Sequence, residues 1–280
     1  MSLDVAGSAA IEVRNLTKTF SSGRRHKVFA LNDVSLSVPA GTCIAVVGES
    51  GSGKTTLARI VVGLESADSG TVALDSTPVL ARASRKERHR RAGHIQMVFQ
   101  DPQGSLNRRL PVRVAVEEVL RAHFAMRSSE RAKRCLELFD QVGLSSNLLN
   151  SLPRELSGGQ RQRIAIARAL AARPSVIVLD EAVAALDVSV QAQILNLLAE
   201  LRRSEHLSYL FISHDLSVVR QVADEVVVMR RGSIVEHGPV EQILDYPREP
   251  YTRLLRECAP RAGWAPRREL IEQLTREAEQ

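Results

Sequence analysis

The stretch that most restricts the fold of this chain is "CIAVVGESGSGKTTLARIVVGL", Cys43 to Leu64. Cys43 to Val47 are continuously apolar, as a strand buried on both faces should be, and "TTLARIVVGL" continues with helical spacing. Between them "GESGSGKTT" must carry the chain from strand to helix. Gly48, Gly51 and Gly53 let backbone N–H groups curl around phosphates, with Ser50, Ser52 and Thr56 completing the loop. Lys54 adds a compact ammonium that an arginine fork does not imitate. It stands out in a chain whose other lysines are only at positions 18, 27, 86 and 133. Thr55 offers a hydroxyl to Mg²⁺. Strand, glycine loop and helix in this order predict a nucleoside triphosphate site.

The remaining pattern fits around that unit. "AIEVRNLTKTF" and "LNDVSLSVPAG" alternate apolar and polar residues and read as antiparallel strands, with "SGTVALDS" as another edge strand. From Val112 to about Leu149 the apolar spacing is helical, broken by Gly143. Ser157 then caps a long helix that runs to about Arg173. "SVIVLDE" reads as a buried strand, Val188 to Arg203 as a helix, and "YLFIS" as a strand. "DEVVVMRRGSIVEHG" follows as a hairpin with an Arg-Gly turn, and the tail is helical. Strands alternating with helices predict an α/β fold with a mainly parallel sheet. The expected division is a loose tail over 1–10, a nucleotide-binding domain over 11–240 with an all-helical insert near 101–160, and a C-terminal helical extension over 241–280.

Several classes fall away. No apolar run approaches the ~20 residues needed to span a bilayer. "MSLDVAGSAA" lacks the basic start and apolar core of a signal peptide. Cys43, Cys135 and Cys258 show no disulfide or ligand spacing, which fits a reduced cytosol, and the seven histidines are too scattered for a protein-built transition-metal site. The net charge is +6. Its densest basic run, "RASRKERHRRAGH", has no interleaved aromatics for base stacking. It reads as a solvated face or one for anionic lipid headgroups, and no nucleic-acid partner is expected.

Four more polar residues follow apolar strands. Asp180 ends "SVIVLD" and is placed to hold Mg²⁺, through water. Glu181 is a second consecutive carboxylate, suited to orient or deprotonate an attacking water. His214 follows "YLFIS" and is placed to contact a γ-phosphate. Gln100 follows "IQMVF", where a neutral amide reaches Mg²⁺ or water without altering charge.

Together these segments resemble the ATP-binding subunit of an ABC transporter over nearly the whole chain. "GESGSGKTT" resembles the Walker A loop, "VFQDP" the Q-loop, "LSGGQ" the family signature, "VIVLDE" Walker B, "AALD" the D-loop and "ISHD" the H-loop. The resemblance implies a P-loop NTPase core with an antiparallel β subdomain and an inserted α-helical subdomain, binding ATP and Mg²⁺. It puts Phe20, in preference to Phe29, against the adenine. It further implies a head-to-tail pair of ATPase subunits, identical or not. In such a pair Ser157, Gly158, Gly159 and Gln160 grip the γ-phosphate of the partner's ATP, using the helix N-terminus behind them. ATP closes the pair and hydrolysis opens it. The helical insert carrying Gln100 passes the motion to two transmembrane permease subunits. An extracytoplasmic solute-binding protein is engaged indirectly, and the subunit sits peripherally on the cytoplasmic face of the cell membrane.

Within that family "NSLPRELSGGQ", "FQDPQGSLNRRLPV", "SYLFISHDLSVV" and "ILDYPREPYTRLL" resemble the peptide and nickel import subfamily. Two departures are visible. Ala182 stands where most relatives carry proline, and Cys258 is alone where many peptide-importing relatives carry a cysteine-rich segment. Both occur in nickel-import subunits. The expected function is to power a bacterial importer of di- and oligopeptides or related small solutes, with a nickel or metal-chelate importer as the alternative. A soluble ABC ATPase of DNA repair or translation usually shows duplicated cassettes or zinc modules, absent here. An ATP-binding scaffold without turnover would lack Glu181 or His214, both of which are present.

Overall fold

Alternation along the buried strands decides which core each residue joins. In the computed structural model, which describes residues 9–22, 26–80, 83–101, 104, 106–258 and 268–279, β3 (Cys43–Val47) is buried at every position. Cys43, Ala45 and Val47 face one hydrophobic cluster, while Ile44 and Val46 face a second. The neighbouring β7 (Val176–Asp180) and β8 (Ser208–Ile212) are likewise buried throughout and divide their residues the same way.

With β6 (Ile95–Val98), β9 (Glu225–Arg230) and β10 (Ser233–Pro239), these strands form a six-stranded sheet of order β10-β9-β3-β8-β7-β6. Pairing is parallel except for β10, which runs antiparallel to β9. The hairpin between those two turns at Arg231 and Gly232, both at positive φ, as a two-residue turn requires. A second sheet is antiparallel, in the order β2 (His26–Pro39), β1 (Ala9–Ser22), β4 (Ser69–Leu74), β5 (Thr77–Pro78). The β4 strand is therefore not an edge. Asp75 and Ser76 both take positive φ (45° and 63°), and their turn lays the two-residue β5 along its outer side.

Helices cover the sheets. The phosphate loop runs into α1 (Lys54–Val62), whose Leu57, Ala58, Ile60 and Val61 are buried in the second cluster. Each large apolar side chain so buried contributes about 1.5–3 kcal/mol. On the other face lie α3 (Val112–His123), α4 (Ser128–Gln141), α5 (Gly158–Leu170) and α6 (Val188–Ser204). They bury Val116, Leu120, Phe139, Ile164 and Leu198 in the first cluster. The basic run is itself a helix, α2 (Arg85–His94), with no buried residue. Ser84 caps it in a reciprocal box with Glu87. No apolar period announces such a helix.

The helical run after Val112 breaks earlier than Gly143. Phe124 leaves α3 in an extended conformation, and Glu130 accepts the N–H of Arg127 at 2.7 Å to begin α4. Gly143 then lies just past the end of α4 at φ 68°. The long helix α5 stops at Leu170, and Arg173 takes φ 54°. A short α7 (Leu216–Val222) joins β8 to β9, and the tail after β10 holds α8 (Val240–Asp245), α9 (Pro250–Cys258) and α10 (Arg268–Glu279). Of the segment 1–10, read as a loose tail, residues 1–8 lie outside the described residues, while Ala9 and the buried Ala10 already belong to β1. Residues 102, 103 and 105 beyond Gln100 also lie outside the described residues. Among the described residues no helix is long and apolar enough to cross a membrane.

Candidate active site

The strand order brings the carboxyl ends of four parallel strands to one edge of the sheet, where open α/β sheets bind ligands. Val46 of β3 pairs with Ile212 of β8, Ile212 with Asp180 of β7, and Leu179 with Val98 of β6. The segments leaving these ends carry Lys54, His214, Asp180 with Glu181, and Gln100.

The phosphate loop is shaped by its neighbours. Gly48 has φ 150°, and a Cβ there would lie 2.1 Å from the Met229 carbonyl oxygen. Gly53 has φ 107°, and a Cβ there would meet the Ala30 carbonyl oxygen at 2.2 Å. Only glycine fits either position. Lys54 begins α1 and is buried. Its Nζ donates to the carbonyls of Gly48 and Glu49, both at 2.7 Å, and lies 3.4 Å from Ser52 Oγ. Burial lowers its pKa, opposed by the charges of Glu181, Asp180 and Glu49.

One helical step on, Thr55 Oγ1 lies 3.3 Å from Asp180 Oδ1. Burial raises the Asp180 carboxyl above its ordinary range; the Thr55 bond opposes that, and the charge of Glu181 adds to it. The next residue leaves the strand abruptly. Glu181 takes φ 48°, a left-handed conformation rare outside glycine, and its N–H donates to the Ile212 carbonyl at 3.0 Å. Consecutive carboxylates thereby serve two sides: Asp180 meets Thr55, and Glu181 meets Gln100 Nε2 at 2.7 Å and His214 Nδ1 at 3.4 Å. His214 is itself exposed at the surface of this group.

The donor set fits a magnesium nucleotide. The glycine cradle leaves no room for side chains at Gly48 and Gly53, Lys54 supplies the cation, and Thr55 with Asp180 offers the hard oxygens that Mg²⁺ takes. Ser50, Gly51 and Thr56 lie in or beside the same loop.

Two groups of predicted residues stand apart. Phe20 is 44% exposed, with Lys18 Nζ 5.1 Å above its ring. It pairs with Val28, whereas Phe29 pairs with Thr19, so the two rings stand on opposite faces of the ribbon. Ser157 caps α5, accepting from Gln160 N–H while Gln160 Oε1 accepts from Ser157 N–H. The amides of Gly158 and Gly159, first in the helix, have no acceptor within it. Among the described residues no hydrogen bond joins this turn to Lys54, Asp180 or Glu181. Gly159 also has a purpose inside the chain, since a Cβ there would meet Val190 Cγ1 at 2.5 Å.

A contact that the sequence did not announce comes from the tail. The N–H of Glu49 donates to the Tyr251 hydroxyl at 3.0 Å. No local pattern links "REPYTRLL" to the loop.

The chain is similar to known proteins over most of its length. The family model described as ABC transporter matches residues 31–184. The chain is 41% identical over 251 residues to the oligopeptide transport ATP-binding protein OppF of Streptococcus mutans, covering 89% of this chain and 81% of that protein. It is 44% identical over 253 residues, with the same coverage, to the dipeptide transport ATP-binding protein DppF of Lactococcus lactis. Among solved structures it is similar to the ATP-binding cassette MJ0796, a dimer in a post-hydrolysis state bound to ADP and Pi. That match has a TM-score of 0.75 and 31% identity, over 82% of this chain and 98% of that one.

Proposed function

The chain belongs to the ABC transporter family as one of its ATP-hydrolysing subunits, and on that premise we propose that it powers a bacterial importer of di- and oligopeptides. The observation that carries the chemistry is the convergence of Lys54, Thr55, Asp180, Glu181, Gln100 and His214 at one sheet edge. The names of the similar transport proteins support the cargo.

In this reading Lys54 exchanges the Gly48 and Glu49 carbonyls for the β- and γ-phosphate oxygens. Partly desolvated, its ammonium gains more from that charge than a solvated one would. Amides of the loop from Gly51 to Thr55 take the remaining phosphate oxygens. Thr55 and Asp180 would hold Mg²⁺, with Gln100 at its edge; the ion supplies neutralisation of phosphate charge. Glu181 accepts a proton from the attacking water, and His214 positions the γ-phosphate beside it. Phe20 supports the adenine.

The Ser157–Gln160 turn serves another chain's nucleotide. Its two free amides and helix dipole suit a phosphate, yet no lysine or carboxylate of this site is bonded to it. A second ATPase subunit, identical or not, would supply the ATP gripped there. A groove of about 680 Å³, lined by Leu64, Met97, Phe99, Leu106, Leu110 and Val114 among others, runs between the core and the helices after Gln100. Its apolar lining suits a permease element, one from each of two transmembrane subunits at the cytoplasmic membrane face. A solute-binding protein outside the membrane would act through them.

Uptake by a deletion strain tests the cargo. Loss of growth on defined di- and oligopeptides, restored by the wild-type gene and not by a Lys54→Ala copy, is the expected result. Normal peptide use with lost nickel uptake would move the assignment to a metal importer.

A further inference from the structure

Glu49 is held on both sides of its position in the phosphate loop. Its carbonyl accepts from Lys54 Nζ at 2.7 Å and from Ser52 N–H at 3.1 Å. Its N–H goes to Tyr251 Oη on α9, 202 positions along the chain. Tyr251 is buried, and the Arg230 guanidinium lies 4.8 Å from its ring centre. Arg230, at the end of β9, also donates to the Ala278 carbonyl of α10, and α9 packs on α10. A line of contacts thus runs from the last two helices through Arg230 and Tyr251 to the peptide that holds the Lys54 amine.

A loop that must present its amides and its lysine to a triphosphate binds best when its backbone is already set, because ordering it on binding costs affinity. The acceptor for the Glu49 N–H comes from the tail, as the hydroxyl of the buried Tyr251, and it fixes this peptide of the loop. Among the described residues no bond ties Tyr251 to Glu181, Gln100 or His214, so its influence falls on nucleotide binding and not on the proton-accepting step. We propose that Tyr251 is a positioning residue for the phosphate loop, through which the C-terminal helices set the affinity of this chain for nucleoside triphosphate. The proposal rests on the loop being the ATP site.

The test is titration of the full chain with a fluorescent ATP analogue, alongside steady-state hydrolysis. Tyr251→Phe keeps the ring on Arg230 and removes only the acceptor. Its Kd and KM should rise about two- to tenfold, the effect of one neutral hydrogen bond, with kcat at saturation unchanged. Thr252→Val is the control on the same helix, because the Thr252 hydroxyl is buried without a partner; its Kd should match wild type. Unchanged affinity in Tyr251→Phe while Lys54→Ala weakens binding would overturn the positioning role and leave the ATP site standing. Equal weakening in Thr252→Val would also overturn it, assigning the effect to helix packing. Unchanged binding in Lys54→Ala would overturn the reading of the loop itself.

Discussion

Gln100 donates from Nε2 to Oε2 of Glu181 at 2.7 Å, joining the segment after β6 to the end of β7. This bond is what places the first residue of the helical insert's approach against the proposed proton acceptor. An isosteric carboxylate in place of that amide would face Glu181 charge to charge and push it aside.

Gln100→Glu is therefore expected to fold normally and to bind ATP, since Lys54 and its loop are untouched. Hydrolysis should fall roughly 10²-fold, at the lower end of what a misplaced general base costs. Gln100→Ala, which removes the bond without adding charge, should cost less. Steady-state rates at saturating ATP check the order; equal losses in the two variants would deny the charge argument.

Asp180 predicts a trade between stability and activity. Burial raises its folded pKa above the ordinary 3.8, so the ionised form costs stability at neutral pH. That cost fades as pH falls through the raised value and is gone below about pH 3.8, where folded and unfolded chains are both protonated. Asp180→Asn should raise the melting temperature of the nucleotide-free chain at neutral pH. The gain should vanish below that pH. Hydrolysis should fall roughly 10–100-fold, as for loss of an outer-sphere metal partner. Thermal melts over a pH series check the sign.

The two signature glycines should behave differently. A Cβ on Gly158 meets Leu186 Cδ2 at 3.4 Å, an ordinary contact, whereas one on Gly159 meets Val190 at 2.5 Å. Gly159→Ala should lower stability by about 1–3 kcal/mol through overpacking. Gly158→Val should leave the fold and monomer ATP binding nearly intact while abolishing dimer closure and hydrolysis. Denaturant melts and nucleotide titration separate these outcomes. A loss of monomer affinity in Gly158→Val equal to that of Lys54→Ala would count against a shared site.

Much of the fold was legible because its signals are local. Cys43–Val47, Val176–Asp180 and Ser208–Ile212 are short apolar runs, and each became a central strand buried at every position. Helix α2 was not legible, since a helix without a buried face has no apolar period. The β4–β5 turn was missed because Asp75-Ser76 is a poor sequence signal for positive φ at both residues. In the site, the residue types at strand ends could be read one by one. That Glu181 meets both Gln100 and His214 depends on strand order, which no single segment encodes. The Tyr251–Glu49 contact was hidden for the same reason: it joins loop and tail across 202 positions.

Glu181 stands at the centre of the account, as the group that takes the proton from water. The most direct measurement is ATP hydrolysis and nucleotide binding by Glu181→Gln, which keeps size and hydrogen bonding while removing the base. Binding should match wild type, turnover should fall roughly 10²–10⁴-fold, and the ATP-bound dimer should persist on gel filtration. Wild-type turnover in this variant would contradict the assignment.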